Sequence, residues 1–140
     1  MGQYVAPLRD MQFVLHEFLN VTEEYKNLPP YAEFDADIIN QVLEEGAKFT
    51  QEVLFPLNHT GDREGCHYDA ATKTVTTPKG FKEAYKQYVE GGWAALACDP
   101  EYGGQGLPIL INNALYEMLN SANQAWTMYP GLSQIGRAHV

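Results

Sequence analysis

Hydrophobic side chains recur along much of this chain at the three- and four-residue spacing of an amphipathic α-helix. Residues 111–119 show this rhythm most clearly, and residues 11–19 repeat it near the amino terminus. Asp10 stands just before the second of these stripes and is predicted to be its N-cap. Pro29 and Pro30 cannot continue a helix, so the first predicted helix ends before them.

Capping residues and prolines mark the limits of other predicted helices. Asp35 is a predicted N-cap, and the apolar stripe that follows it is predicted to end at Pro56. After residues 111–119 the pattern weakens over residues 120–123, and a short last helix is predicted around residues 125–129. Pro130 is predicted to kink or stop that helix.

Residues 57–77 interrupt the helical pattern. They begin with a polar, glycine-bearing stretch, and β-branched residues then flank a short polar turn, which predicts a loop closing in a small hairpin at residues 66–77. Thr77-Pro78 is predicted to start the next helix as its N-cap and first residue. Its apolar stripe spans residues 81–89, and Gly91-Gly92 is predicted to end it. Five predicted helices without a series of strands indicate an all-α bundle with one irregular hairpin insert.

The composition of the chain argues against several classes of function. The 140 residues carry nine basic and eighteen acidic side chains, a net charge of −9, which argues against nucleic-acid binding and against electrostatic docking on an anionic membrane. No apolar run approaches the ~20 residues of a membrane-spanning helix, and no secretory signal is visible. The two cysteines are too few for a disulfide scaffold and form no CxxC pair. These features predict a cytoplasmic protein without membrane insertion.

The residues that could carry chemistry have simpler structural explanations. His59, Cys66, His67 and Asp69 lack the paired spacing of a zinc site, so no metal is predicted. The glycines of residues 103–106 follow a helix instead of a strand, which favours a tight turn over a nucleotide-binding loop. No catalytic residue is predicted.

An aromatic and sulfur-rich cluster, residues 126–129, precedes Pro130-Gly131. Such a stripe is most often part of a core, although apolar and aromatic residues also form the walls of ligand pockets. Composition leaves both alternatives open.

The end of the chain has no helical rhythm. Its last six residues, IGRAHV, are what a common sequencing adapter encodes when it is translated in this frame. We therefore expect residues 134–140 to be a non-native tail and the chain to be a piece of a longer protein.

Several motifs in order resemble the N-terminal helical domain of the acyl-CoA dehydrogenases. The most specific is DPEYGGQGLP after GFKEAYKQYVEGGWAAL. In that family a similar glycine turn joins a helix that enters through Gly-Trp to the next helix. YVAPLRDMQFVLHEFL, EVLFPLNHTGDREGCHYD and SANQAWTMYPGLS resemble the branch that includes the 3-methylmercaptopropionyl-CoA dehydrogenases. The resemblance covers residues 4 to about 133. It implies an N-terminal extension at residues 1–32 and the helical domain at residues 33–133.

The resemblance also implies a function. Family members oxidise acyl-CoA thioesters to 2-enoyl-CoA: a carboxylate removes the α-proton, and FAD accepts the β-hydrogen as hydride. The base and much of the flavin contact belong to C-terminal and middle domains outside this chain, so the chain alone is expected to be inactive. Its implied contribution is a wall of the acyl and flavin pocket at Trp126, Thr127 and Pro130. The implied partners are acyl-CoA, the missing domains, further copies of the protein and an electron-transferring flavoprotein.

An alternative hypothesis requires no further domains. The chain is then a stand-alone acidic helical module that uses Phe13, Phe18 and the Tyr85/Tyr88 stripe to bind a partner protein. A fragment should expose an apolar patch where another domain docks, whereas a module should not.

Overall fold

A computed structural model describes the backbone of residues 2–135 and the side chains of residues 2–132. This part of the chain is all-α apart from one hairpin, which confirms the predicted fold class. The helices are α1 (Leu8–Gln12), α2 (Val21–Lys26), α3 (Ala36–Lys48), α4 (Phe55–Glu64), α5 (Phe81–Glu90) and α6 (Ile109–Ile135), and the strands are β1 (His67–Asp69) and β2 (Thr74–Thr76). They are accompanied by π-helical turns at Phe13–Phe18 and Phe49–Leu54 and by 3-10 turns at Pro29–Tyr31, Trp93–Ala95 and Pro100–Tyr102.

The amino-terminal segment forms two short helices where one was predicted. The π turn after α1 ends at Phe18, and Asn20 in a left-handed conformation (φ 50°) begins α2, which the hydrophobic pattern did not reveal. The prediction of Asp10 as an N-cap was wrong, because α1 begins at Leu8 and Asp10 lies in its first turn. A carboxylate there still interacts favourably with the helix dipole.

The same segment contributes to the common core. Met11 and Leu15 are 7% and 3% exposed and belong to the central cluster of buried apolar side chains. The Ala6 N–H donates a hydrogen bond to Gln51 Oε1 at 2.8 Å. The predicted N-terminal extension therefore packs directly against the helices that follow it.

Helices α3 and α4 form one long helical stretch that the sequence led us to end too early. Asp35 caps α3 as predicted, since its carboxylate accepts a hydrogen bond from the Ile38 N–H at 2.9 Å. Pro56, however, does not end the helix, because the backbone remains helical over residues 36–64. The π turn before α4 changes the hydrogen-bond register, and Pro56 then occupies the first turn of α4, where a missing N–H costs little.

The prediction of a loop over residues 57–77 was therefore partly wrong, because residues 57–64 belong to helix α4. The hairpin predicted at residues 66–77 is confirmed. β1 and β2 pair antiparallel, with Tyr68 opposite Val75, and both of these side chains are 59% exposed.

Helix α5 begins later than predicted. Thr77-Pro78 does not cap it; the N-cap is Gly80, whose φ of 89° favours glycine. A larger residue at this position would also collide with Leu57, because a Cβ on Gly80 would lie 2.6 Å from the Leu57 side chain. The helix ends at the predicted glycine pair, with the Gly91 N–H bonded to the Gln87 carbonyl at 2.9 Å.

Helix α6 joins two helices that the sequence predicted separately. It is interrupted at Asn123, which has non-helical angles (φ −160°, ψ 84°) and lies in the predicted weak stretch. Of the two outcomes predicted for Pro130, a stop is wrong, because α6 continues through Pro130 to Ile135, and the non-helical backbone of α6 is at Asn123. A proline removes one hydrogen bond from a helix, whereas the Asn123 backbone leaves the helical conformation altogether. Residues 136–140 of the predicted tail lie outside the described residues.

The core lies where α3, α4 and α5 meet α6. Its most deeply buried apolar side chains, with 0% exposure, are Leu43, Leu54, Ile111, Met118, Leu119 and Ala122. An aromatic cluster of Phe49, Tyr88 and Trp126 extends this core to the end of α6 that follows the bend. In the described part of the chain, no helix combines the length with the apolarity that crossing a membrane requires.

Candidate functional site

A surface groove lies between the start of α5 and the part of α6 that follows its bend. The groove has a volume of about 350 Å³ and is lined by Thr77, Phe81, Lys82, Tyr85, Trp126 and Tyr129. Four of these six side chains are aromatic. The volume lies at the lower end of the range typical of small-molecule sites.

Asn123 sets the direction of the α6 segment that carries two of these rings. Its Nδ2 donates to the Leu54 carbonyl at 3.2 Å, and its Oδ1 accepts from the Trp126 N–H at 3.0 Å. The second bond is the one that an N-cap makes to the third residue after it. Asn123 thus acts as an internal N-cap that begins a new helical direction. The only sequence signal for this role is a polar residue between apolar stripes.

Trp126 is the most enclosed of the groove residues. It is 2% exposed, and its indole Nε1–H donates to the Phe81 carbonyl at 3.2 Å. Its ring meets those of Tyr88 and Phe49 edge to face, with centroid distances of 5.4 and 6.1 Å. The indole therefore both fills the core and borders the groove.

The other two predicted pocket residues lie elsewhere. Thr127 is 1% exposed, and its hydroxyl donates to the Asn123 carbonyl at 2.9 Å, so it faces the bundle interior. Pro130 is half-buried, and neither residue is part of the groove lining. The structure therefore brings only Trp126 of the three to the groove.

The remaining groove residues were not among the three predicted acyl-pocket residues, although Tyr129 belongs to the aromatic cluster at residues 126–129 and Tyr85 was suggested to bind a partner protein. Phe81 and Tyr85 are four residues apart on α5, a spacing that the sequence does show. Tyr129 meets Phe81 edge to face at 6.4 Å. Its hydroxyl is 3.2 Å from the Cys66 sulfur, and this hydrogen bond is the main reason that the pKa of Tyr129 is raised. Only the fold brings Cys66 to α6.

The residues suggested for a stand-alone module divide between surface and core. Phe13, Phe18 and Tyr85 are 47%, 74% and 48% exposed and can reach a partner. Tyr88 is 1% exposed, so its predicted part in binding a partner was wrong. Ala84, four residues earlier on the same face of α5, is also buried. This face of the helix therefore packs against the core.

Comparison with known proteins adds a family relationship. The chain is 36% identical over 130 residues, 93% of its length, to the 3-methylmercaptopropionyl-CoA dehydrogenase of Ruegeria pomeroyi. It is 29% identical over 94% of its length to a broad-specificity linear acyl-CoA dehydrogenase of Mycobacterium tuberculosis. It is 27% identical over 90% of its length to a butyryl-CoA dehydrogenase of Syntrophomonas wolfei. No protein-family model matches the chain.

The chain is related to the acyl-CoA dehydrogenases.

The similarity to acyl-CoA dehydrogenases is extensive for this chain but partial for its relatives. The chain spans about a fifth of the length of each curated relative, 21–22%. The match thus relates the helical bundle to these dehydrogenases but leaves most of each relative without a counterpart here.

The glycine turn that first suggested acyl-CoA dehydrogenases is closed on itself. The Gly103, Gly104 and Gly106 N–H groups donate to the carbonyls of Pro100, Asp99 and Cys98 at 2.9–3.0 Å. A Cβ at Gly104 would overlap the Cys98 carbonyl group. The backbone donors that a phosphate needs are therefore already used, which agrees with the predicted tight turn.

Among the described residues, no group of three or more His, Cys, Asp or Glu side chains is placed to hold a metal ion.

Proposed function

We propose that this chain is the N-terminal helical part of a longer FAD-dependent acyl-CoA dehydrogenase. The observation that carries this proposal is the similarity of 90–94% of the chain to three acyl-CoA dehydrogenases, of which it spans only 21–22%. In the proposed activity the longer protein removes two hydrogens from the α and β carbons of an acyl-CoA thioester.

The part of the activity assigned to this chain is a wall of the acyl and flavin pocket. Trp126, Thr127 and Pro130 lie on the α6 segment after the bend at Asn123. Trp126 supports the assignment because its indole borders the groove. Thr127 and Pro130 would contribute by shaping the helix behind that wall, since the Thr127 hydroxyl bonds the Asn123 carbonyl.

The residues of this chain do not fit a complete FAD. The groove of about 350 Å³ is small for a flavin dinucleotide, and the glycine turn has no free N–H groups for its phosphates. The flavin, whose chemistry is to accept the hydride, must therefore be held mainly by polypeptide beyond this bundle. For the same reason we propose that the chain alone is inactive.

The partners follow from this assignment. They are the acyl-CoA substrate, the middle and C-terminal domains of the same polypeptide, further copies in a homo-oligomer and an electron-transferring flavoprotein as acceptor. The exposed α6 side chains Met128, Tyr129 and Leu132, which are 51–56% exposed, lie at the three- and four-residue spacing of one helix face. Such an apolar face is typical of a surface that another domain covers.

The decisive experiment is to express the complete reading frame beside the 140-residue chain. We expect the complete protein to purify with the absorbance of bound flavin and to reduce a flavoprotein acceptor with acyl-CoA, while the short chain shows neither. A reading frame that stops naturally after residue 133, or a full-length protein that binds no flavin, would refute the proposal.

A further inference from the structure

The hairpin formed by β1 and β2 has one apolar face. Tyr68 and Val75 lie opposite each other on the two strands, so their side chains share a face of the sheet. Because side chains alternate along a strand, the neighbouring pairs belong to the other face. These pairs are polar, His67 with Thr76 and Asp69 with Thr74. The hairpin thus has the amphipathic pattern of a sheet that is covered on one side.

The helical bundle leaves this apolar face exposed. Tyr68 and Val75 are each 59% exposed, and of the six strand residues only Asp69 is partly buried. A two-stranded hairpin is only marginally stable in water, and it normally gains stability from a further strand or from an element packed on its apolar face. The face that the residue pattern marks for burial therefore requires a cover from outside the bundle.

Hydrogen bonds at both ends of the hairpin define its conformation. The Asp69 carboxylate accepts from the Ala71 N–H at 2.8 Å and from the Thr72 hydroxyl at 2.9 Å, which fixes the turn. At the opposite end, the Lys79 N–H donates to Glu64 Oε2 at 3.1 Å and closes the stem. The apolar pair is therefore positioned before a partner arrives, and such preorganisation reduces the entropy that binding costs.

The apolar face of the hairpin adjoins the last part of α6. The Cys66 sulfur, directly before β1, lies 3.2 Å from the Tyr129 hydroxyl. Tyr68 follows Cys66 by two residues, the spacing that places side chains on the same face of an extended chain. Tyr129 in turn belongs to the exposed apolar face of α6, together with Met128 and Leu132. The two apolar faces are therefore continuous where Cys66 meets α6.

The position of the hairpin favours one occupant over others. The chain spans only 21–22% of the length of its relatives, so in the proposed longer protein about four-fifths of the polypeptide lies beyond it. Helix α6 brings the start of that polypeptide to the hairpin, since Tyr129 already contacts Cys66. A second copy of the protein has no comparable link to this face.

We propose that Tyr68 and Val75 are covered by polypeptide that follows α6 in the same copy of the complete protein. The contact extends the one proposed for the exposed face of α6 and makes the hairpin part of a domain interface. This inference rests on the proposed function, because it requires the longer protein. It adds that the hairpin serves to bind the polypeptide that follows the bundle.

Hydroxyl-radical labelling of the complete protein tests whether the hairpin is covered. The oxidation rate of Tyr68 is compared between the native and the urea-unfolded protein by mass spectrometry. If the bundle were its only cover, the rate should fall less than twofold on folding, because 59% of the side chain stays exposed. We expect a fall several times larger. A fall below twofold, in a protein that binds flavin and oxidises acyl-CoA, would overturn this inference and leave the proposed function intact.

Photo-crosslinking identifies what covers the hairpin. The complete protein with Tyr68→p-benzoylphenylalanine is assembled from ordinary and ¹⁵N-labelled copies and irradiated. We expect links from position 68 to peptides beyond residue 135 of the same copy. His67→p-benzoylphenylalanine is the matched control, because His67 is also exposed but belongs to the polar face, and it should give far fewer such links. Links chiefly between copies, or equal yields from the two positions, would contradict the proposed contact.

Discussion

The side-chain amide of Asn123 lies 3.2 Å from the carbonyl oxygen of Leu54 and donates a hydrogen bond to it. Asn123 is the bend in α6, and Leu54 is the last residue of the π turn before α4. One buried amide therefore links the two irregular points of the longest helices. This contact also directs the α6 segment that borders the groove.

Replacing Asn123 should destabilise the protein strongly. Asn123→Ala removes the donor to Leu54 and the cap of the Trp126 N–H, both at a residue that is 1% exposed. Losing a cap and leaving a buried carbonyl without its partner should together cost about 2–4 kcal/mol. Urea denaturation measures this loss. Asn120→Ala is a suitable control, because the Asn120 amide bonds the Tyr116 carbonyl at a partly buried site and its loss should cost less than about 1 kcal/mol. Equal losses in the two variants would contradict the linking role of Asn123.

The closed glycine turn should not tolerate a methyl group at Gly104. Gly104→Ala would press a Cβ against the Cys98 carbonyl, which accepts a hydrogen bond from the Gly106 N–H at 2.9 Å. Because the obstacle is backbone, the turn must open, and we expect a loss of about 2–3 kcal/mol in the free energy of unfolding. Gly2→Ala adds the same methyl group where nothing lies within 4 Å and should leave thermal stability unchanged.

Alkaline pH should destabilise the bundle through Tyr88. Burial raises the pKa of Tyr88 to about 12 from the ordinary value of 10.0. The folded state therefore holds this proton more tightly than the unfolded state. The stability that this proton contributes is fully present below pH 10 and is lost as the pH rises through 12, by about 3 kcal/mol in all.

Urea titrations at several pH values between neutral and alkaline test this dependence. Tyr88→Phe keeps the ring contacts with Trp126 and Phe49 but removes the titrating group, so its stability should fall less steeply. Tyr102→Phe changes a tyrosine that is 83% exposed and should leave the slope as it is. An identical slope in Tyr88→Phe and the unchanged chain would show that other groups cause the alkaline loss.

Trp126 should contribute strongly to the stability of the folded chain. Trp126→Ala removes a ring that is 2% exposed, together with its hydrogen bond to the Phe81 carbonyl. A cavity of this size typically costs about 3–5 kcal/mol. Met128→Ala, two residues later and 51% exposed, should change the stability by less than about 0.5 kcal/mol. Chemical denaturation of both variants gives the comparison, and a mild Trp126→Ala would show that the indole is not part of the core.

Local signals in the sequence were reliable where the structure is local. Asp35 caps α3 through a bond to a residue three positions away, and Gly91-Gly92 ends α5. The hairpin also follows from its own residues. Each of these features depends on a few neighbours, so no knowledge of the rest of the chain is needed.

The prolines show where local reasoning failed. Pro56 was expected to end a helix and Pro130 to kink or stop one, yet the helical backbone continues through both. The irregularities occur instead at the π turn before α4 and at Asn123. A proline costs a helix a definite amount, and packing of the surrounding faces against the core can outweigh it.

The sequence by itself determined the all-α class, most helix positions and the relationship to acyl-CoA dehydrogenases, because helical periodicity and ordered motifs are properties of the linear chain. The tertiary structure decided which aromatic residues are buried, where α6 bends and which side chains form the groove. Tyr85 and Tyr88 belong to one predicted stripe, but only contact with Trp126 distinguishes the buried ring from the exposed one. Such distinctions depend on residues far apart in sequence, whose packing no periodicity can express.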